Sequence, residues 1–386
     1  MLTIVTTGTM AFWGVVFLRR WPVRSMLMGY GVVLLLSLLA GLNFELGIVE
    51  QKFASQFAFE AFRGAASARA NQTFLVQAAV NAPAFLLSGV WYGAIGTNCA
   101  ITAAVFSEVH SNHRHIAWWF LGPAVINFSL FALRDPVIAA LLFMLTLELV
   151  SNSQRTPGLW YWTVTTALAI SRPEVAVVML GVRVGLFIWQ RWTGKLRALG
   201  IAALIATALI GLSLAPRAIG FDETTTSPTQ AIGAINEVVE GRVSRNSGLD
   251  GGGSNILGGA IVEVPQPLRF GVQLLTFVVL PLPFEIRSAE LALAFVDSIW
   301  LASFVYTIRR KISWEAWILV GCFSLSVAFF ATNYGNLLRL RMPLYFIVTA
   351  AVLASAGSRW SRIPHNDLEA HTGPKPAQMT YDMGTG

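Results

Sequence analysis

Two short turns of this 386-residue chain hold residues able to grip an anion. Arg134-Asp135-Pro136 and Arg172-Pro173-Glu174 each set an arginine and an acid beside a proline. Proline suits the first turn of a helix, and an acid there complements the helix dipole. Neither effect accounts for the arginines, because a positive charge is unfavourable at a helix N-terminus. A guanidinium is a planar fork of donors that matches two oxygens of a phosphate or carboxylate. Arg134, Arg172 and Glu174 are therefore candidate substrate-binding residues. Arg339 and Arg341, in the stretch from Asn333 to Pro343, extend the set. Arg242 and Arg245 add a further element, because Gly251-Gly252-Gly253-Ser254 follows them and a glycine-rich loop can turn backbone N–H groups onto phosphate oxygens. Glu45, Glu50 and Asp135 are the carboxylates read as candidate general bases.

The elements that position these residues follow from composition. Charged residues make up 12% of the chain, against about 25% in an ordinary soluble domain, and apolar residues make up 55%. So few charges cannot cover a soluble surface. The sequence predicts an all-α, polytopic membrane helix bundle. Apolar runs bounded by charges or turn residues give about eleven spans: 2–18, 25–44, 98–112, 116–133, 136–150, 158–171, 174–190, 198–215, 288–308, 315–332 and 343–357. Two further stretches, 73–92 and 270–284, read as re-entrant or interfacial. Residues 1–357 form the membrane domain, and 358–386 a polar, disordered cytoplasmic tail. The first helix is retained, since basic residues follow it rather than precede it.

Lys and Arg in short loops set the orientation. With eleven spans, Arg19, Arg24, Arg114, Arg191 and the Arg309-Arg310-Lys311 turn share the cytoplasmic side. The other side receives the 45–72 loop, both arginine turns, the long 216–269 loop and Asn333 to Arg341. Its basic residues are arginines apart from Lys52. Excess arginine on a translocated face works against the topology, and binding an anion would explain it. Within the spans, Arg183 and Asp297 are expected to face protein or water, and pairing with each other would satisfy both. Cys99 and Cys322 give no disulfide framework. His110, His113 and His115 have no acidic or cysteine partner nearby, so neither a metal nor a cofactor is expected.

The order of these pieces resembles the polytopic GT-C and Wzy-like glycosyltransferases of bacterial surface-polysaccharide assembly. The resemblance rests on an outer acid after an early helix, then Arg134-Asp135-Pro136, then Arg172-Pro173-Glu174. Arg245 with Gly252, Gly253 and Ser254 continues it, followed by Pro281, Pro283 and Phe284, and by Asn333, Gly335, Arg339, Arg341 and Pro343. It covers most of 45–343. It implies a multi-pass protein of the bacterial cytoplasmic membrane acting at the outer face on a polyprenyl-diphosphate-linked glycan. Other glycan-assembly membrane proteins are the implied partners, with membrane lipid and no nucleic acid. Where such enzymes often carry an Asp in the first outer loop, this chain offers Glu45 and Glu50. Two other readings fit the same pattern. One is a transporter or flippase of a lipid-linked or anionic substrate, and the other a non-catalytic subunit of a glycan-assembly complex.

Overall fold

The computed structural model describes residues 1–19, 21–45, 76, 79–80, 93–131, 135–151, 157–191, 268, 271–272, 275–277, 281–286, 288–328 and 334–356. Regular structure among them is helical throughout. In chain order the helices are α1 (Leu2–Leu18), α2 (Val23–Glu45), α3 (Gly93–Asn112), α4 (Arg114–Phe120), α5 (Pro123–Ser129) and α6 (Asp135–Ser151). They continue with α7 (Leu159–Ser171), α8 (Pro173–Arg191), a 3-10 turn at Pro283–Glu285, α9 (Ala289–Ile308), α10 (Trp314–Ala328) and α11 (Tyr334–Ser355). Val23–Asn43, Leu291–Ile308 and Leu337–Ser355 are long and apolar enough to cross a bilayer. Leu2–Leu18, Val175–Trp189 and Trp314–Val327 are apolar but shorter.

Local sequence sets several boundaries. Pro123 opens α5 and Pro173 opens α8. Ser288 caps α9 by accepting from the Leu291 N–H. Three helices depart from the expected limits. Helix α3 begins at Gly93 rather than at residue 98. The 116–133 run is not one helix: it breaks at Leu121-Gly122 into α4 and α5. Gly122 is needed there, because a Cβ would lie 2.5 Å from the Tyr345 ring. The last described helix starts at Tyr334 rather than Pro343, so Arg339 and Arg341 are helical and not in a loop. Pro343 lies inside α11 and has no N–H to give to the Arg339 carbonyl four residues earlier. The expected 198–215 span lies outside the described residues, as do nearly all of 73–92 and 358–386. Only isolated residues of 270–284 are described.

Helix α11 is the centre of the bundle. Of its Leu337–Ser355 stretch 89% is buried, although the stretch is apolar enough to face lipid. It packs most extensively on α6, and also on α5, α9 and α10. Phe346 meets Phe120 and Phe143 edge-on, and the Tyr345 ring stacks on Phe304. A second group forms where α1 and α2 lie against α3. Small residues allow that approach: a Cβ on Gly96 would sit 2.5 Å from the Ile4 carbonyl and 2.6 Å from the Gly8 nitrogen.

The ends of the described helices sort into two groups. One end joins the α1–α2 turn, the α3–α4 turn and the α9–α10 turn. There Trp21 donates to Glu108, Ser25 bonds His110, Trp189 packs on Trp314, and the Ser313 N–H bonds Ser355. Arg19, Arg24, Arg114, Arg191, Arg309, Arg310 and Lys311 lie at this end, with Glu108, Glu148 and Glu315 as its acids. The opposite end gathers the Met1 ammonium with Glu45, and the starts of α6, α8 and α11.

Candidate anion site at the α6–α8–α11 end

Three elements converge on Asp135. The residue opens α6, and its side chain is 5% exposed. Arg339, in the second turn of α11, donates its Nε to Asp135 Oδ2 at 2.7 Å. Arg172 approaches Oδ1 more loosely, with Nη2 at 4.0 Å. Arg172 sits between α7 and α8. Its N–H bonds the Leu168 carbonyl, and its own carbonyl accepts from Val175 and Ala176. That double engagement fixes the arginine's backbone at the mouth of the site.

These residues line a small cavity of about 40 Å³, room for roughly three water-sized groups. Ile138, Val175, Phe323 and Pro343 form its apolar wall, and Ser326 adds a hydroxyl. The Arg172 and Arg339 side chains keep 27% and 30% of their surface exposed, while Asp135 is enclosed. Two guanidiniums share the Asp135 carboxylate. Arg339 uses only its Nε in its one hydrogen bond, which leaves the paired Nη donors for a second acceptor. Such a cluster can hold a phosphate or carboxylate oxygen pair. Among the described residues, no three His, Cys, Asp or Glu side chains gather to hold a metal.

The other predicted site residues are placed as follows. Arg134, Glu50, Arg242 and Arg245 lie outside the described residues. Glu174 falls in the first turn of α8, beside Arg172, with its side chain outside the described set. Glu45 ends α2 and pairs with the Met1 ammonium at 3.2 Å; it does not line the cavity.

Arg341 is only two residues from Arg339 but serves a different cluster. It is fully buried. Its Nε donates to the Phe277 carbonyl at 2.8 Å, and its Nη1 to Ser298 Oγ at 2.8 Å and to the Ala294 carbonyl at 3.2 Å. The same Nη1 lies 3.5 Å from Asp297 Oδ2. Asp297 Oδ1 accepts from the Ala124 N–H at 2.9 Å and the Tyr345 hydroxyl at 3.0 Å. The structure thus pairs Asp297 with Arg341, not with Arg183 as expected. Arg183 instead lies over the Tyr161 ring, 5.3 Å from its centroid. The physical reason is register: α9 meets α11 directly, and Asp297 faces the helix break at Ala124. Sequence reading missed Tyr345, Ser298 and this break. Leu121-Gly122-Pro123 was the available signal, since Gly-Pro punctuates an apolar run.

Comparison of the chain with protein-family models, curated proteins and solved structures finds no match.

Proposed function

We propose that this chain is a multi-pass membrane glycosyltransferase, a polysaccharide polymerase acting on a polyprenyl-diphosphate-linked sugar at the outer face of the membrane. The observation that carries the reading is the convergence of Arg172 and Arg339 on one enclosed carboxylate, with the Arg339 Nη donors left for an anion. The diphosphate of a lipid-linked sugar is such an anion, and it sits at a membrane surface. Charge grows on it as the glycosidic oxygen leaves, and prepositioned guanidiniums stabilise that growth. The acceptor hydroxyl attacks the sugar's anomeric carbon and a new C–O bond forms. The bond from that carbon to the diphosphate oxygen breaks, and polyprenyl diphosphate departs with the electron pair. A carboxylate takes the hydroxyl proton. Asp135 is the carboxylate that lines the cavity, and a diphosphate that takes over its two arginines leaves it able to accept that proton. Glu45 and Glu50 are the other candidates of the first outer loop.

The test is surface-glycan chain length in cells lacking the native copy, with membrane protein level as control. Arg339→Ala should abolish long chains. Arg339→Lys should shorten them, because lysine keeps the charge but loses the fork. Wild-type chains from the lysine variant at normal protein level would remove Arg339 from the site.

A second reading, a flippase of the same lipid-linked substrate, is favoured by the helix broken at Gly122 against buried Asp297. Discontinuous helices facing charged side chains are a feature of transporter sites. Reconstituted vesicles separate the two: a flippase moves labelled lipid-linked sugar across the bilayer without forming a glycosidic bond.

A further inference from the structure

The end of the bundle opposite the anion cavity has a chemical character of its own. Apart from Trp118 and Trp119 on the short α4, which starts at this end, every tryptophan among the described residues lies in the half of its helix, or the turn, that belongs to this end. Several face outward: Trp118, Trp160 and Trp162 are each 50% exposed, and Trp314 is 43% exposed. An amphipathic ring of this kind settles at headgroup level in a bilayer. Cations outnumber acids at the same end, as described above.

The charge is most concentrated at the α9–α10 turn. Arg309, Arg310 and Lys311 follow one another there, all exposed. Tyr306, 67% exposed, lies beneath Arg309, whose guanidinium is 3.4 Å from the ring centroid. Trp314 closes the other flank and packs on Trp189. Near this turn is the α3–α4 turn with Arg114 and His113. Lys311 is near enough that its charge joins burial in lowering the His113 pKa. The two turns lie close together, since α4 packs on α9, and Arg114 adds a cation beside the three of the α9–α10 turn. Glu315, the acid in the first turn of α10, is a single carboxylate beside three cations.

We propose that the α9–α10 turn, with the neighbouring α3–α4 turn, is a binding surface for anionic phospholipid headgroups. The cations take the phosphate, and Tyr306 and Trp314 lie against the glycerol and upper acyl region. A basic residue near an anionic leaflet gains on the order of 1 kcal/mol, about five-fold in binding. The surface is independent of the anion cavity and of the activity proposed for it.

The test uses the full chain in phosphatidylcholine nanodiscs containing a fixed fraction of brominated lipid, either phosphatidylglycerol or phosphatidylcholine. Bromine quenches tryptophan on contact, so the ratio of the two quenching efficiencies reports preference for the anionic headgroup. A several-fold preference for phosphatidylglycerol is expected. It should fall toward unity in R309Q/R310Q/K311Q and partway in Arg310→Gln, which also serves if the triple variant does not incorporate. Raising the salt should weaken it. Equal quenching by the two lipids in the unmodified chain would overturn the proposal. So would a preference that survives the loss of the three cations.

Discussion

Removing either member of the Asp297–Arg341 pair should cost more than removing both. Both side chains are fully buried, and Nη1 lies 3.5 Å from Oδ2. Arg341→Met leaves the Asp297 carboxylate enclosed with only the Ala124 N–H and Tyr345 hydroxyl as donors. Breaking a buried pair in this way costs about 3–5 kcal/mol. Asp297→Asn keeps an acceptor for those two donors but leaves the guanidinium without its counter-ion, a loss near the lower end of the same range. In the double variant D297N/R341M no charge remains. The residual cost is the Phe277 carbonyl, which loses its donor, at about 1–3 kcal/mol. The Ala294 carbonyl lies within α9 and keeps its helical partner. The double variant should therefore be at least about 3 kcal/mol more stable than the sum of the single losses predicts. Denaturation of the detergent-solubilised protein with sodium dodecyl sulfate, followed by tryptophan fluorescence, would measure all four corners of the cycle. Losses that simply add would refute the reasoning and return Arg341 to the list of ligand-binding arginines.

Glycine substitutions test the packing of α1. Gly96→Ala forces a Cβ between two backbones and should destabilise by about 1–3 kcal/mol. Gly14→Ala meets nothing within 4 Å and should be neutral or raise the melting temperature slightly. Equal thermal shifts would remove the α1–α3 contact as a stabilising crossing. The His113 pKa is lowered from its ordinary value of 6.5, first by burial and then by Lys311. Above that value the ring is neutral both folded and unfolded. Below it the unfolded ring takes a proton that the folded ring resists, so stability falls with pH until the folded value is passed. The drop in melting temperature between pH 7.5 and 5.5 should be smaller in His113→Gln than in the unmodified chain. An identical drop would show that the ring does not contribute.

Helix limits at prolines and charges were legible in the sequence, because those residues act locally. Pro173 opens α8, and Arg309 follows the last residue of α9. The closeness of Arg172, Asp135 and Arg339 was legible in part. Counting alternating spans put them on one face, but not within hydrogen-bonding reach of one another. Pro343 misled because proline at a helix start and proline inside a buried helix look alike in sequence. What separates them is the packing of α11, which makes up for the lost hydrogen bond. The partner of Asp297 was not legible. Arg183 and Arg341 are both arginines in apolar surroundings, and only the docking of α9 on α11 selects between them. The order of the short motifs suggested a glycosyltransferase, and that reading rests on the anion cavity together with that order.

The central position of α11 has a consequence for biogenesis. The ribosome makes this helix after α1 to α10, yet it supplies the arginines that meet Asp135 and Asp297. Until it emerges, Asp297 lacks its cation and Asp135 has only the looser Arg172, and the faces of α6, α9 and α10 that α11 will cover stay open. Insertion therefore proceeds through an incomplete bundle that one late segment closes. A nascent chain cut short before Tyr334 would carry the Asp297 carboxylate with no cation to match it.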